Sequence, residues 1–323
     1  MAADRALLHL TDADVRALGL DARAVREAVR DAFLSYSSGT IRCEAKTVLG
    51  LGEGHSFQSL SAADTQRRCA VLKWVGVVPP GAGETTNIHA SMLLSDADTG
   101  RVLCLMDARR ATAWRTAAMS ALAAQHLARA ESTVIGFVGA GTQAGNHLAA
   151  LLEVLPNLKA VRATSATGRS AERLVRQARE FGLDASVCGA QEAVSGSDVV
   201  VTTVPLRAGF APFIDAAWLR AGGFAAAVDL GRSWKRDGLA SMDVTAVDES
   251  ALRHYGKPGG LVPSLEHAEA TLVDLVAGRH PGRGGARERT MFFSSGSAVA
   301  DLAVAMLIHE RALAHGAGTW LAD

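Results

Sequence analysis

The chain has 323 residues, 49% hydrophobic and 20% charged, which is typical of a globular protein of about two domains. Lysine plus arginine and aspartate plus glutamate each number 33, which argues against a nucleic-acid-binding protein. No uncharged apolar run reaches membrane-spanning length, and the charged start Asp4-Arg5 is unlike a signal peptide. The four cysteines lack metal-ligand spacing, which predicts reduced, buried thiols in a cytoplasmic protein.

The first part of the chain predicts helices followed by a largely antiparallel β region. Residues 9–38 have helical spacing of apolar residues, and Thr11 or Asp12 is a suitable N-terminal cap. Short β-like runs follow at residues 47–51, 69–78, 89–94 and 101–105. The last two runs are separated by Asp96-Ala-Asp-Thr-Gly100, whose composition predicts a hairpin turn.

The most informative stretch is residues 134–145, Val-Ile-Gly-Phe-Val-Gly-Ala-Gly-Thr-Gln-Ala-Gly. A strand pattern passes into a helical pattern through the candidate cofactor-binding residues Gly139, Gly141, Thr142, Gln143 and Ala144. This strand–turn–helix is the context that the dinucleotide-binding motif G-x-G-x-x-A requires. Gly139 permits a tight turn, Gly141 leaves room for a pyrophosphate at the helix N-terminus, and small Ala144 allows close packing. The alternative is a purely structural strand–helix turn.

Strand and helix patterns alternate around this motif, which predicts an α/β fold with a doubly wound parallel sheet of Rossmann type. The strand-like runs are 134–138, 160–163, 198–204 and 224–229, and the helical patterns are 112–130, 170–181 and 297–315. The Gly/Arg-rich stretch 278–289 is a candidate boundary, and the last helix is expected to return to the first domain. The predicted domains are 1–125, completed by 295–323, and a dinucleotide-binding domain at 126–294.

The end of the second Rossmann strand should indicate the preference between NAD and NADP. An acid at this point binds the ribose 2′-hydroxyl of NAD, but residues 161–169 contain no carboxylate. Ser165, Thr167 and Arg169 are suited to a 2′-phosphate, which favours NADP slightly. Alternatively, Arg169 is only a solvated residue at the start of a helix.

Three basic residues lie in otherwise apolar stretches. Strand alternation places Lys73 on one face with Val71 and Val75. Arg115 lies in the Ala-rich helix, and Lys46 opens a strand. Each alone is explained by a surface or internally paired charge, but a cation in apolar surroundings needs an anion. Three of them together suggest a substrate with a carboxylate.

Asp229 ends the apolar run 222–229, and ligands bind outside the carboxyl ends of strands in open α/β sheets. Asp229 is therefore a candidate proton donor or acceptor beside a nicotinamide ring, with a helix N-cap as the alternative. His309-Glu310 does not predict zinc, because the next histidine, His315, follows His309 by six residues rather than four. No metal site is predicted.

Five motifs spread over nearly the whole chain occur together in one known family. They are Leu72-Lys-Trp-Val75, Thr99-Gly100, Thr112-Ala-Trp-Arg-Thr-Ala-Ala118, Gly139-Ala-Gly-Thr-Gln-Ala144 and Gly316-Ala-Gly-Thr319. With them the chain resembles the ornithine cyclodeaminase/mu-crystallin family. The resemblance implies a homodimer, an α+β substrate and dimerisation domain built from both chain ends, and a central domain that binds NAD or NADP.

The resemblance also implies roles for individual residues. Lys73 corresponds to the substrate-binding lysine, Arg115 to the carboxylate-binding arginine and Asp229 to the catalytic aspartate. Lys46 stands where most members have a second carboxylate-binding arginine. This is a departure, because lysine cannot make the bidentate contact of arginine.

Two further departures concern the substrate. Gln58 stands where ornithine cyclodeaminase has a glutamate for the distal amine of its substrate, so Gln58 is a candidate substrate-binding residue without the charge that a buried ammonium needs. After Asp229 the chain continues Leu230-Gly-Arg-Ser-Trp-Lys235 in place of a Pro-Gly-Lys type turn. Ornithine is therefore not the expected substrate.

The leading hypothesis is an NAD(P)-dependent oxidoreductase that acts on the Cα–N bond of a small amino or imino acid. Arg115 and Lys73, with or without Lys46, would hold the carboxylate and polarise the imine, and Asp229 would handle the proton. The first alternative is a cyclodeaminase, in which hydride leaves and returns, ammonia is lost and a ring closes. The second is a non-catalytic, crystallin-like ligand-binding protein.

Overall fold

A computed structural model describes residues 6–52, 55–78, 88–205, 210–248 and 268–322. The chain divides into two compact units. Unit 1 comprises Met1–Arg115 and Ser297–Asp323, and unit 2 comprises Thr116–Gly296. The Gly/Arg-rich stretch 278–289 lies inside unit 2, where the Arg283 guanidinium donates hydrogen bonds to the Leu127 and Gly223 carbonyl oxygens at 2.8 and 3.1 Å. The expectation of a boundary at this stretch was wrong.

The described residues form helices α1 (Asp12–Ala17), α2 (Ala22–Ser37), α3 (Arg109–Leu127), α4 (Thr142–Val154), α5 (Arg169–Glu180), α6 (Ala190–Ser195), α7 (Arg236–Leu239), α8 (Leu272–Val276) and α9 (Ala298–His315). The first eight strands are β1 (Leu7–Leu10), β2 (Ile41–Cys43), β3 (Thr47–Gly52), β4 (His55–Asp64), β5 (Cys69–Val77), β6 (Ile88–Asp96), β7 (Val102–Asp107) and β8 (Val134–Val138). The others are β9 (Ala160–Thr164), β10 (Asp184–Val187), β11 (Val199–Thr202), β12 (Phe224–Ala227), β13 (Val244–Val247), β14 (Ala270–Thr271), β15 (Thr290–Phe293) and β16 (Thr319–Leu321).

Unit 1 is built on a mixed sheet with the strand order β16-β1-β7-β6-β5-β4-β2, and β3 pairs with β4. Apart from the parallel pair β1–β7, its strand pairs are antiparallel, which confirms the predicted β domain. Helix α9 packs on β4 and β5 and against α2, so the C-terminal segment completes this unit. Strands β1, β2, β4 and β16 were not predicted. β1 overlaps the stretch assigned to helix, β2 and β16 have only three residues each, and β4 is rich in serine and alanine.

The predicted hairpin turn joins β6 to β7. The Asp96 carboxylate accepts hydrogen bonds from the Asp98 and Thr99 amides at 3.0 and 2.7 Å. Gly100 has a φ of +73°, a backbone conformation that favours glycine. The turn therefore forms as its composition predicted.

Unit 2 contains a parallel sheet with the order β10-β9-β8-β11-β12-β15-β13-β14. The chain leaves β8 toward β9 and β10 on one side and continues with β11 and β12 on the other, so the strand order reverses between β8 and β11. Such a reversal is the topological switch point at which doubly wound sheets bind ligands. The predicted Rossmann-type fold is confirmed, although β10, β13, β14 and β15 were not predicted. Within the described ranges, no helix has the length and apolarity needed to cross a membrane.

Candidate active site

The glycine turn follows β8 at the switch point. Gly139 has a φ of +87°, and a Cβ placed there would lie 2.9 Å from the carbonyl carbon and oxygen of Thr203. The Thr203 hydroxyl also donates a hydrogen bond to the Gly139 carbonyl oxygen at 3.0 Å. Glycine at position 139 is therefore required by the fold, because this backbone conformation and close approach exclude a side chain.

Gly141 differs from Gly139 because the protein itself does not require a glycine there. Its φ of −81° suits any residue, and a Cβ would meet no described atom within 4 Å. Gly141 precedes α4, whose N-terminus has no side-chain cap, and the Gln143 Oε1 atom is buried without a hydrogen-bond partner in the described part of the chain. An open backbone, an uncapped helix start and a buried free acceptor fit a nicotinamide dinucleotide.

A cleft of about 370 Å³ adjoins this turn. It is lined by Gly141, Thr142, Asn146, Arg173 and Gln177, among others. Arg173 lies on α5, one helical turn after Arg169, and was not selected from the sequence. It adds a cation to the region in which phosphate groups are expected.

The residues selected for a 2′-phosphate follow β9. Ser165 is half-buried, and its hydroxyl accepts a hydrogen bond from the Ala171 amide at 3.1 Å. Thr167 is exposed, and Arg169 is the exposed first residue of α5.

A buried histidine supports the first turn of α4. His147 lies one turn further along, with Nδ1 2.8 Å from the Gln143 carbonyl oxygen and Nε2 3.0 Å from the Ser120 Oγ atom. Burial lowers the pKa of His147 to about 4, so the ring is neutral. Because a carbonyl oxygen only accepts, Nδ1 carries the proton and Nε2 accepts from the Ser120 hydroxyl. The sequence analysis did not identify this pair.

Asp229 lies just beyond β12, at the carboxyl edge of the unit 2 sheet. Its Oδ1 accepts hydrogen bonds from the Thr202 hydroxyl at 2.8 Å and the Gly231 amide at 3.1 Å, and Oδ2 accepts from the Ser233 hydroxyl at 2.6 Å. Burial raises the pKa of Asp229, and these hydrogen bonds oppose that rise. The residues after Asp229 form a turn, and α7 begins only after Lys235, so the helix N-cap alternative was wrong.

Lys73 lies on β5 in unit 1 and is 1% exposed. Val71 and Val75 are buried on the same face, which confirms the predicted alternation. Its ammonium group lies 2.7 Å from both carboxylate oxygens of Asp301. The pKa of Lys73 is lowered to about 7, because burial and the charge of Arg115 lower it by more than Asp301 raises it.

Asp301, a fully buried residue of α9, was missed in the sequence analysis. Its Oδ1 atom lies 2.9 Å from the Nε atom of Arg115, so one carboxylate contacts both predicted cations. Asp301 interrupts the apolar run of α9 just as Lys73 interrupts that of β5. The same signal that selected the two cations would therefore have found their shared anion.

Lys46 and Gln58 lie in the same unit. Lys46 is half-buried ahead of β3, and its charge contributes to lowering the pKa of Lys73. Gln58 on β4 pairs with Val75, and its neighbour Leu60 pairs with Lys73. Directly paired residues share a face of the sheet, so Gln58 and Lys73 point to the same side. Unit 1 thus gathers four of the selected residues, and unit 2 holds Asp229 and the cofactor-binding residues.

Comparison with known proteins identifies the family. The model of the ornithine cyclodeaminase/mu-crystallin family matches residues 8–316. The chain belongs to this family. It is 33% identical to alanine dehydrogenase of Archaeoglobus fulgidus over 322 residues, which covers 97% of each chain. This confirms the resemblance inferred from the five motifs.

Two solved structures of family members superimpose along nearly their whole length. One is an archaeal alanine dehydrogenase dimer with bound NAD, with a TM-score of 0.86, 31% identity and coverage of 98% of this chain and 99% of that one. The other is the Δ1-pyrroline-2-carboxylate reductase of Thermococcus litoralis in complex with NADH and L-proline. Its TM-score is 0.87 at 27% identity, with coverage of 97% of this chain and 99% of that one.

Proposed function

We propose that the protein is an NAD(P)-dependent oxidoreductase that acts on the Cα–N bond of a small amino or imino acid. The observation that carries the proposal is the gathering of Lys73, Arg115 and Lys46, in which Asp301 lies 2.7 Å from Lys73 and 2.9 Å from Arg115, and the other two cations lower the pKa of Lys73. Asp301 supplies one negative charge to this group of three cations, and a bound anion adds a second. The carboxylate of an amino or imino acid supplies such an anion, and relatives with this fold act on these compounds.

The two buried cations, Arg115 and Lys73, have different roles, one in binding the substrate and one in activating it. Arg115 holds the substrate carboxylate through its planar guanidinium group. The Lys73 ammonium lies beside it, fixed by Asp301, and polarises the C=N bond of the imine through a hydrogen bond. Bound NADH or NADPH supplies the hydride that the Cα atom receives during reduction.

Asp229 transfers the proton that the reaction requires. Three hydrogen bonds from described residues occupy two acceptor sites on Oδ1 and one on Oδ2, which leaves an acceptor site on Oδ2. Because burial raises its pKa, the carboxyl group retains a proton more readily than an exposed aspartate does. Asp229 therefore donates a proton in imine reduction and accepts one in amine oxidation.

The test follows reduced nicotinamide by its near-ultraviolet absorbance, with NAD or NADP and a panel of L-amino acids, while ammonia release is measured in parallel. We expect reduced cofactor to accumulate with at least one amino acid. Asp229→Asn should lower kcat by a factor of about 10² or more, because an amide cannot transfer the proton. Asp237→Asn, an exposed aspartate of α7, serves as the matched control.

Other outcomes identify the alternatives. Ammonia released without a net absorbance change would indicate a cyclodeaminase, in which the cofactor is regenerated in each turnover. Binding of amino or imino acids without turnover in either direction would indicate a crystallin-like binding protein. Unchanged kcat in Asp229→Asn would contradict the proton-transfer role.

We propose NADP as the preferred cofactor. The support is the chemistry that follows β9, where Ser165, Thr167 and Arg169 offer hydroxyls and a cation and residues 161–169 contain no carboxylate. A 2′-phosphate needs such donors, whereas the 2′-hydroxyl of NAD favours an acid. The same assay tests this preference, since a higher kcat/KM with NAD than with NADP would contradict it.

We propose a homodimer as the working form. The outer face of the unit 1 sheet carries exposed large apolar side chains, including Leu49, Leu72 and Trp74, and Trp74 stacks on Phe57 with ring centroids 5.4 Å apart. A contiguous apolar face of this kind is typical of protein interfaces, and the similar archaeal alanine dehydrogenase is a dimer. Light scattering should give twice the mass of one chain, and Trp74→Glu should shift it toward the monomer.

We also propose a cytoplasmic location. All four cysteines are free thiols, and two of them, Cys69 and Cys104, are buried. Free thiols persist in reducing compartments. Fractionation of the source cells tests this location, and recovery of the protein outside the cytoplasm would contradict it.

A further inference from the structure

Helices α4 and α5 contact each other and run in the same direction, because they follow the parallel strands β8 and β9. The Gln177 side-chain amide of α5 donates a hydrogen bond to the Gly145 carbonyl oxygen of α4 at 3.4 Å. A Cβ at Gly145 would lie 2.7 Å from the Gln177 Oε1 atom, so a glycine is needed where the two helices approach each other. This contact fixes the position of α5 along α4.

The same contact places Arg173 beside the N-terminus of α4. In α5, Arg173 precedes Gln177 by four residues, and residues four apart lie on one face of a helix. At the start of α4, the N-cap Gly141 precedes Gly145 by the same number of residues. One turn before the contact, Arg173 of α5 therefore lies next to Gly141 of α4. The cleft of about 370 Å³ agrees with this placement, since Gly141, Thr142 and Arg173 all line it.

The charge of Arg173 is not neutralised inside the cleft. The other lining residues in the described part of the chain are uncharged, so none of them is a carboxylate. The Arg173 side chain is exposed, and its guanidinium group pairs with no described residue. Glu172 is adjacent in the sequence, but adjacent residues of a helix do not face each other. Arg173 is therefore available to an anion that enters the cleft.

We propose that Arg173 binds the pyrophosphate of the dinucleotide, opposite the backbone N–H groups of the first turn of α4. The pyrophosphate is the anion that a dinucleotide brings to this helix N-terminus, and an arginine can bind phosphate oxygens through two parallel hydrogen bonds. Ser165, Thr167 and Arg169, the candidates for a 2′-phosphate, do not line the cleft. The inference rests on the cofactor of the proposed function. It assigns to Arg173 an equal contribution to NAD and NADP binding, and the choice between them to Arg169.

The test measures binding by calorimetry with NAD, NADP and ADP-ribose, on the wild type, Arg173→Gln and Arg176→Gln. ADP-ribose keeps the pyrophosphate but lacks the nicotinamide and the 2′-phosphate. In Arg173→Gln we expect the Kd of all three compounds to rise by about tenfold or more, the factor that a charged hydrogen bond is worth. High salt should reduce this difference, because the contact is exposed. Arg176→Gln changes an exposed arginine of α5 outside the cleft and should keep the wild-type Kd values.

The outcomes separate this inference from the proposed reaction, because binding is measured without turnover. A rise in Kd for all three compounds would support the role of Arg173 even if no amino acid were oxidised, and then only the proposed reaction would fail. Unchanged Kd values would overturn the inference and leave the proposed reaction intact. A rise for NADP alone would place Arg173 at the 2′-phosphate and would also overturn it. Thermal unfolding without cofactor should be the same in all three proteins, since both substitutions are on the surface.

Discussion

The two units differ in the groups that they offer to a charged ligand: unit 1 offers ionised side chains and unit 2 offers backbone N–H groups. Unit 1 buries ionised side chains, and its Lys73–Asp301–Arg115 cluster joins a strand and two helices through contacts of 2.7 to 2.9 Å. Unit 2 relies on backbone groups at the glycine turn, supported by the neutral His147. Buried ions are expensive and must be held by partners, whereas backbone N–H groups at a helix start carry partial charge without that expense. The cluster of unit 1 is therefore formed by residues far apart in the sequence, and the glycine turn of unit 2 by residues of one short segment.

We expect the largest loss of activity when the shared anion of the unit 1 cluster, Asp301, is neutralised. In Asp301→Asn we expect kcat/KM to fall by a factor of about 10² to 10³, because Lys73 and Arg115 lose the carboxylate that positions them. The free energy of unfolding should fall as well, by about 3–5 kcal/mol. Glu310→Gln on the same helix is exposed and serves as the control.

The pH profile of kcat/KM distinguishes a positioning role of Asp301 from a purely structural one. Since Asp301 raises the pKa of Lys73, the alkaline limb of kcat/KM should move to lower pH in Asp301→Asn. A variant that folds, as judged by circular dichroism, and retains the wild-type profile and rate would contradict the positioning role.

A side chain at position 141 should weaken cofactor binding without destabilising unit 2. In Gly141→Ala we expect the free energy of unfolding without cofactor to stay constant or rise by up to about 1 kcal/mol, because its backbone conformation suits alanine. Cofactor affinity should fall by roughly tenfold or more, since the methyl group occupies space needed by the pyrophosphate.

Gly139→Ala is the matched comparison for this effect. Its Cβ would lie 2.9 Å from Thr203, so the free energy of unfolding should fall by more than about 1 kcal/mol even without cofactor. Thermal unfolding and fluorescence titration measure both quantities. Unchanged cofactor affinity in Gly141→Ala would remove the support for a nucleotide at this turn.

The pH dependence of imine reduction sharpens the comparison without a loss of either unit's structure. The pKa of Lys73 is lowered to about 7, so its ammonium form decreases as the pH rises through 7. We expect kcat/KM to fall by about tenfold for each pH unit above that value, since kcat/KM reports the free enzyme. Lys73→Arg should lack this limb, because arginine stays charged, and it controls for ionisation of the substrate. A wild-type kcat/KM that stays constant from pH 7 to 9 would contradict a protonated Lys73.

The difference between the two units also explains which site residues could be predicted from the sequence. The glycine turn and Asp229 could be identified because their chemistry lies in a short segment whose strand–turn–helix order is itself predictable. The hydrogen-bond partners of Asp229 were less accessible, since Thr202 comes from a neighbouring strand and Ser233 from a turn without periodicity. Local patterns therefore locate the groups of unit 2 and leave their partners unidentified.

The fold of unit 1 was predicted less completely. Strand β4 pairs with β2, β3 and β5, so its strand conformation is fixed by neighbours rather than by its serine and alanine residues. The anion of the cluster, Asp301, could have been selected as a charge in an apolar run, but its pairing with Lys73, 228 residues away, follows from no spacing rule. His147 was missed for another reason, because a single histidine in a helix carries no pattern that distinguishes a buried ring from an exposed one.

The position of α9 in unit 1 also affects the order of folding during synthesis. Unit 2 is continuous from Thr116 to Gly296, whereas unit 1 needs α9, which follows unit 2 in the chain. On the ribosome, the Rossmann sheet can assemble while the N-terminal strands still await their covering helix, reversing the usual N-terminal-first order. During that interval Lys73 lacks Asp301 and the inner face of its sheet is open. Apolar surface that is buried in the folded unit is exposed at this stage, which favours aggregation until α9 has been made.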